Sequence, residues 1–225
     1  MQYHHHNGPD PCHPAGETGK PHLPVDFDRR LKLEFHGSKI TSDAGLLAYR
    51  ELDHALGLTD MAGSILTEAR RGKNIRHMVE GLFRQSVFGR LAGYEDVNDA
   101  ERLAVDPAMR TIVDSRGLMR NAASTSEMGR FEMEWLTSAG NFATLVDLPG
   151  AWIDRVHACR PPKQIILDMD SSVSPTHGEQ EGTAYNGHFG CTCYHPLFVF
   201  NQFGDLERCA LRPATCTAPT NGATC

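Results

Sequence analysis

The chain has no apolar run of membrane length, and its first residues lack the charged-then-apolar pattern of an export signal. Those absences argue against a helical membrane anchor and predict a cytoplasmic location. A disulfide framework is not indicated either. Seven cysteines, at positions 12, 159, 191, 193, 209, 216 and 225, make an odd set without an export signal, which predicts reduced thiols. An overall basic excess is also missing, since the net charge is −6. That balance does not advertise a nucleic-acid binder, but affinity depends on where cations cluster rather than on their sum. What is present is ordinary globular material: 40% hydrophobic and 22% charged residues over 225 positions, enough for one large domain or two small ones.

The cations do cluster. Between Arg70 and Leu91 stand Arg70, Arg71, Lys73, Arg76, Arg84 and Arg90, against the single acid Glu80. Without alternating acids this stretch reads as a grip on DNA phosphates, which would position a duplex rather than read its sequence. A merely solvated helix face is the bland alternative. The predicted DNA contacts are Arg70, Arg71, Lys73, Arg76 and Arg84.

Residues 1–25, rich in Pro, Gly and His, read as a flexible lead, and His4-His5-His6 with Cys12 and His13 needs no specific role. Leu31, Leu33 and Phe35 alternate with Lys32 and Glu34 as in a short strand. Helices follow. Thr41 or Ser42 can cap one that runs to Leu56, with Leu46, Leu47, Tyr49 and Leu52 inward and Gly57 as its stop. A short helix is predicted over Asp60–Leu66. Asn74–Leu91 carries Ile75, Met78, Val79, Leu82, Phe83 and Val87 as an apolar stripe, with Arg76, Arg84 and Arg90 on other faces. Short helices are predicted over Asp99–Ala104 and from Pro107. Ser124 with Glu127 fits a capping box opening a helix through Leu136. One or two turns cover Trp152–Cys159 before Pro161-Pro162.

After Pro162 the pattern turns to strands: Gln164–Asp170, Cys191–Phe200 and Asp205–Leu211, the last two joined by the turn Asn201-Gln202-Phe203-Gly204. The first strand holds the chemistry. Ile165-Ile166-Leu167 delivers Asp168 and Asp170, and residues two apart on a strand share a face. Two carboxylates beside a buried strand are costly unless paired or holding a cation. Oxygen-only ligands suit a hard ion such as Mg²⁺. A capping Asp with a solvated neighbour is the plainer alternative.

Asp170-Ser171-Ser172 after an apolar strand resembles the first catalytic block of the DDE transposases of bacterial insertion sequences. Pro175-Thr176-His177-Gly178-Glu179-Gln180-Glu181-Gly182, Tyr185-Asn186-Gly187-His188 and Tyr194-His195-Pro196-Leu197 are similar to one subgroup of them. Upstream, Gly93-Tyr94-Glu95-Asp96-Val97-Asn98-Asp99 and the Ser126…Arg130-Phe131-Glu132 block resemble that subgroup in the expected order. The likeness runs from about Phe27 to Pro213.

The resemblance implies an RNase H-like catalytic domain that cuts and rejoins DNA ends with three carboxylates and two metal ions. The expected fold is therefore α+β. A helical DNA-binding region over 26–160 precedes the first three strands of an incomplete RNase H-like domain over 161–213, and 214–225 read as a disordered or frame-shifted tail. Asp170 is the expected Mg²⁺ ligand and catalytic residue, with Asp168 in reserve. Later acids, Glu179, Glu181, Asp205 and Glu207, match no further family position, so the expectation is a transposase fragment, inactive alone. His177 and Gln180 could touch DNA. Expected partners are double-stranded DNA and a possible second copy of the chain. A zinc site at Cys191, Cys193, His188 and His195 is weakly indicated, since a lone C-x-C has no second pair. The alternative function is a non-catalytic DNA-binding module, or an inhibitor of a full-length transposase.

Overall fold

The structure is a computed structural model that describes residues 22–34, 43–68, 70, 72, 75–114 and 120–214. It is mixed α+β, helices first and strands last, as expected. The chain divides into two compact units, Met1–Leu145 and Val146–Cys225.

The first unit opens with β1 (His22–Pro24) and β2 (Lys32–Glu34), an antiparallel pair in which His22 faces Glu34. The helices are α1 (Leu46–Leu56), α2 (Leu58–Ile65), α3 (Val79–Leu91), α4 (Ala100–Val105), α5 (Pro107–Val113) and α6 (Thr125–Arg130). A π-helical stretch, Phe131–Trp135, extends α6, and α7 (Ala139–His157) follows. Local chemistry explains several boundaries. Gly57 ends α1 at φ 74°, a conformation that glycine adopts without strain, and donates its N–H to the Asp53 carbonyl. Asp106 caps α5 by accepting from the Met109 N–H at 2.8 Å, with Pro107 in the first turn. The core joins Leu46, Phe88, Leu103, Met109, Ile112, Val113 and Ala122.

Four expectations for these helices need correction. Tyr49 and Leu52 of α1 are 51% and 53% exposed, while Arg50 and Asp53 are buried. The helix turns its charged pair inward because partners wait there: Asp53 accepts from Arg50 Nη1 (3.1 Å) and from the Thr59 N–H (2.9 Å). α3 begins at Val79 and not at Asn74, since Met78 is extended (ψ 156°) and Arg70 holds the His77 carbonyl outside the helix. Ser124 stands at the N-cap of α6, but no side-chain capping bond forms, and Glu127 bonds Arg70 at 3.2 Å instead. Finally, α7 is far longer than Trp152–Cys159 and contains Pro149. Thr41, Ser42 and Asn74 lie outside the described residues.

The second unit contains the part of α7 from Val146, then β3 (Leu167–Ser171), β4 (Ser174–Pro175), β5 (Ala184–Asn186), β6 (Cys191–Tyr194), β7 (Leu197–Asn201) and β8 (Leu206–Ala210). They form two antiparallel sheets, ordered β3-β7-β8 and β4-β6-β5. The strand expected over Cys191–Phe200 is split at His195-Pro196, where proline has no N–H to give a ladder. The pairing nevertheless keeps one register through the break. Ser171 faces Leu197, Ser174 faces Tyr194, and the Ser172 N–H reaches the Pro196 carbonyl at 3.1 Å. One two-stranded ribbon thus runs through both sheets. A bulge lies where β7 meets β8.

On one face of the larger sheet, Arg208 packs against α7. Its Nη1 lies 1.9 Å from where a Cβ on Gly150 would stand, so a side chain there would have to displace the guanidinium. At the β7–β8 turn, Asn201 is buried and accepts from the Phe203 N–H (2.9 Å) and the Asp205 N–H (3.1 Å).

Candidate functional site

Asp168 and Asp170 stand on β3 opposite Phe200 and Phe198 of β7. Strand alternation puts both carboxylates on one face, and directly opposed residues share it, so two acids lie beside two phenyl rings whose centroids are 6.2 Å apart. The expected buried setting is overturned. β3 is an edge strand of its sheet and is exposed, with Leu167 at 58% and Met169 at 65%. α7 meets the sheet at β8 and the β7–β8 turn, at the other edge. The carboxylates therefore carry little desolvation cost, and burial gives no reason for a bound cation. Asp170 accepts from the Ser171 N–H at 2.8 Å.

Oxygen donors of this kind suit Mg²⁺, but their number does not complete a site. Among the described residues, no three His, Cys, Asp or Glu side chains converge to hold a metal ion. That also applies to Cys191, Cys193, His188 and His195. Cys193 is buried, and burial with a hydrogen bond to Cys191 raises its thiol pKa; both are free thiols, as is Cys209. His177 and Gln180 are exposed on the loop between β4 and β5. Gly178 turns that loop at φ 74°, and the Gln180 carbonyl accepts the Thr183 N–H at 3.2 Å.

Sequence reasoning missed a polar cluster at the other end of the sheet. His157 Nε2 lies 3.0 Å from Asp205, and Asn201 Nδ2 bridges Asp205 (3.0 Å) and Glu207 (2.9 Å). The bond from His157, then that from Asn201, lowers the Asp205 pKa. His157 also stacks on Phe203 at 4.9 Å. No local sequence signal links position 157 to 205.

The basic stretch of the first unit is not the open row that the sequence suggested. Arg84 is 5% exposed, not on an outer face. It bonds Glu80, Asp60 at 3.1 Å and the Thr59 hydroxyl at 3.0 Å, so its charge is answered inside the protein. Arg70 bonds Glu68 (2.7 Å) and Glu127 (3.2 Å) and lies over the Trp135 ring at 4.5 Å. Its bond lowers the Glu68 pKa. Arg90 pairs with Glu132 at 2.9 Å. Arg71 and Lys73 lie outside the described residues. Arg76 is exposed and has no ion pair among the described residues, and the same holds for Arg120 and Arg130. Arg76 and Arg130 share a cleft of about 580 Å³ with Arg70 and Trp135. Arg76 and Arg120 share another of about 510 Å³. The fold thus gathers a different cationic surface, from residues too far apart in sequence to read as one run.

A family model described as "Transposase DDE domain group 1" matches residues 23–223. No curated protein and no solved structure matches the chain. Among the described residues, no helix is long and apolar enough to cross a membrane.

Proposed function

Because the chain belongs to the transposase DDE domain group 1 family, matched from residue 23 to residue 223, we propose that it serves cut-and-paste cleavage and strand transfer at insertion-sequence ends. The observation that carries this reading is the pair Asp168 and Asp170 on one exposed strand face inside the family match. Asp170 is the proposed catalytic carboxylate and Asp168 its same-face neighbour. Mg²⁺ is the proposed cation. The described residues supply part of a ligand set for it, and the chain alone is proposed not to cut DNA.

The helical unit is proposed to hold double-stranded DNA through Arg76 and Arg130, whose charges are free to meet phosphates. Arg70 remains a candidate at the rim of the same cleft, with Arg71 and Lys73 beside it in sequence. His177 and Gln180 are proposed secondary contacts. Arg84 is withdrawn from the set, because its guanidinium is buried and bonded to Thr59, Asp60 and Glu80.

Mn²⁺ in place of Mg²⁺, followed by backbone NMR, tests the carboxylate assignment. Selective line broadening centred on 168–172, abolished by Asp170→Ala, is expected; broadening that survives the substitution rejects Asp170. A second reading, a DNA-binding module without cleavage, draws on the same free arginines. A duplex shifted in a gel, with no nicking by this chain or by an assembly containing it, would select that reading.

A further inference from the structure

β7 ends at Asn201, and Leu167 opposite it is where the ladder of β3 begins. Asp168 stands one position inside that end. A carboxylate so near the end of an edge strand would share in its fraying, because terminal ladder bonds open most readily. Packing does little to prevent it, since Ile165 and Ile166, which lead into the strand, are 49% and 58% exposed.

A side chain continues the ladder where the backbone stops. Gln202, the first residue after β7, turns its amide onto the lead: Oε1 accepts the Ile166 N–H at 3.0 Å, and Nε2 donates to the Gln164 carbonyl at 2.8 Å. The placement follows the register. The Ser172 N–H points at the Pro196 carbonyl, and in an antiparallel pair every second N–H points the same way, which includes those of Asp170, Asp168 and Ile166. The pairing that sets Leu167 against Asn201 would set Ile166 against Gln202. There the backbone has turned away, and a primary amide, with a donor and an acceptor like a peptide group, stands in for it. The turn that presents Gln202 is itself braced. Buried Asn201 accepts from the Phe203 and Asp205 N–H groups through Oδ1, and its own N–H donates to the Asp205 carbonyl at 3.0 Å.

We propose that Gln202 is a positioning residue for the Asp168–Asp170 pair. It acts through the ladder: with Ile166 held, Asp168 lies between bonded positions instead of at a loose end, and both carboxylates keep one face toward a cation. The value of that to the reaction rests on the reading of Asp170 as the cation ligand.

The test compares the full chain with Gln202→Ala and Gln202→Glu, with melting curves confirming that each folds. Amide hydrogen exchange and side-chain contacts are read first by NMR, without metal. Gln202→Ala is expected to speed exchange at Ile166 and Asp168 about tenfold, the scale of one or two lost hydrogen bonds. It is also expected to weaken the contacts of the Asp168 and Asp170 side chains with the Phe200 and Phe198 rings opposite them. Gln202→Glu keeps the acceptor and loses the donor, so Ile166 stays protected at neutral pH. Mn²⁺ titration follows, with affinity at 168–172 expected to fall about tenfold in Gln202→Ala while its melting temperature stays close to the parent's. Exchange unchanged in Gln202→Ala overturns the clasp. Faster exchange with the ring contacts intact, or with Mn²⁺ affinity unchanged in a parent that binds it, overturns the positioning role. A parent that shows no Mn²⁺ broadening counts against Asp170 as a ligand, and the ring contacts then decide the role of Gln202 by themselves.

Discussion

The helical unit buries Arg50, Asp53 and Arg84, whereas the strand unit buries no charged side chain among its described residues. In the first unit Arg50, Asp53 and Arg84 are each at most 9% exposed and tied to one another, around a core whose Leu82, Met109, Phe88 and Ile112 are almost sealed from water. In the second, Asp168 and Asp170 stand exposed, and Ile166, Met169, Tyr185 and Leu211 are all more than half exposed. Among its described residues the buried apolar side chains are few: Leu148, Ile153, Cys193, Pro196 and Ala214. Charge inside fixes a scaffold, since neither partner can leave without stranding the other. Charge outside is available to something else. The division suits a helical frame held by internal charge pairs and a sheet whose carboxylate-bearing edge is open.

The sharpest way to break that contrast is to empty one site in each unit. Phe88→Ala removes a side chain 1% exposed and is expected to cost about 3–5 kcal/mol in denaturant unfolding. Phe198→Ala, at a half-buried sheet position, is expected to cost only about 1 kcal/mol. Equal costs would show that the strand unit has as firm a core as the helical one. Next in size is Asp53→Ala, which strands Arg50 and removes the acceptor of the Thr59 N–H, for a loss of about 3 kcal/mol. A loss under ~1 kcal/mol would mean that the buried charges are not mutually dependent.

The smallest effect concerns Asp205. Its pKa is lowered in the folded state, so it binds its proton less readily there than in the unfolded chain. The resulting stability is fully present above the ordinary carboxylate value of 3.8 and fades as pH falls through the lower folded value. Melting of Asp205→Asn against the parent is expected to differ by a constant amount above about pH 5 and to converge toward pH 2. A difference that grows on acidification would remove the His157–Asp205 bond from the account.

Elements governed by neighbouring residues were legible in the sequence. Gly57 stops α1, Pro107 opens α5, and Asn201–Gly204 turns between β7 and β8, each through backbone chemistry confined to a few positions. Features set by distant partners were not. Helical spacing put Arg84 on an outer face, because the residues that draw it in, Thr59 and Asp60, come from α2. Arg76 and Arg120 meet only through the fold. The apolar run Ile165-Ile166-Leu167 signalled a strand correctly at its end but not its burial, which depends on where α7 lands.

The doubled break at Ser172-Val173 and His195-Pro196 has a mechanical consequence. Since the same paired ribbon crosses from one sheet into the other in unbroken step, sliding the β3–β4 strand by a single residue would turn Asp168 and Asp170 of one sheet and Ser174 of the other to the reverse side in the same movement. The corner behaves like a dowel between two boards: neither can shift along the joint unless both do.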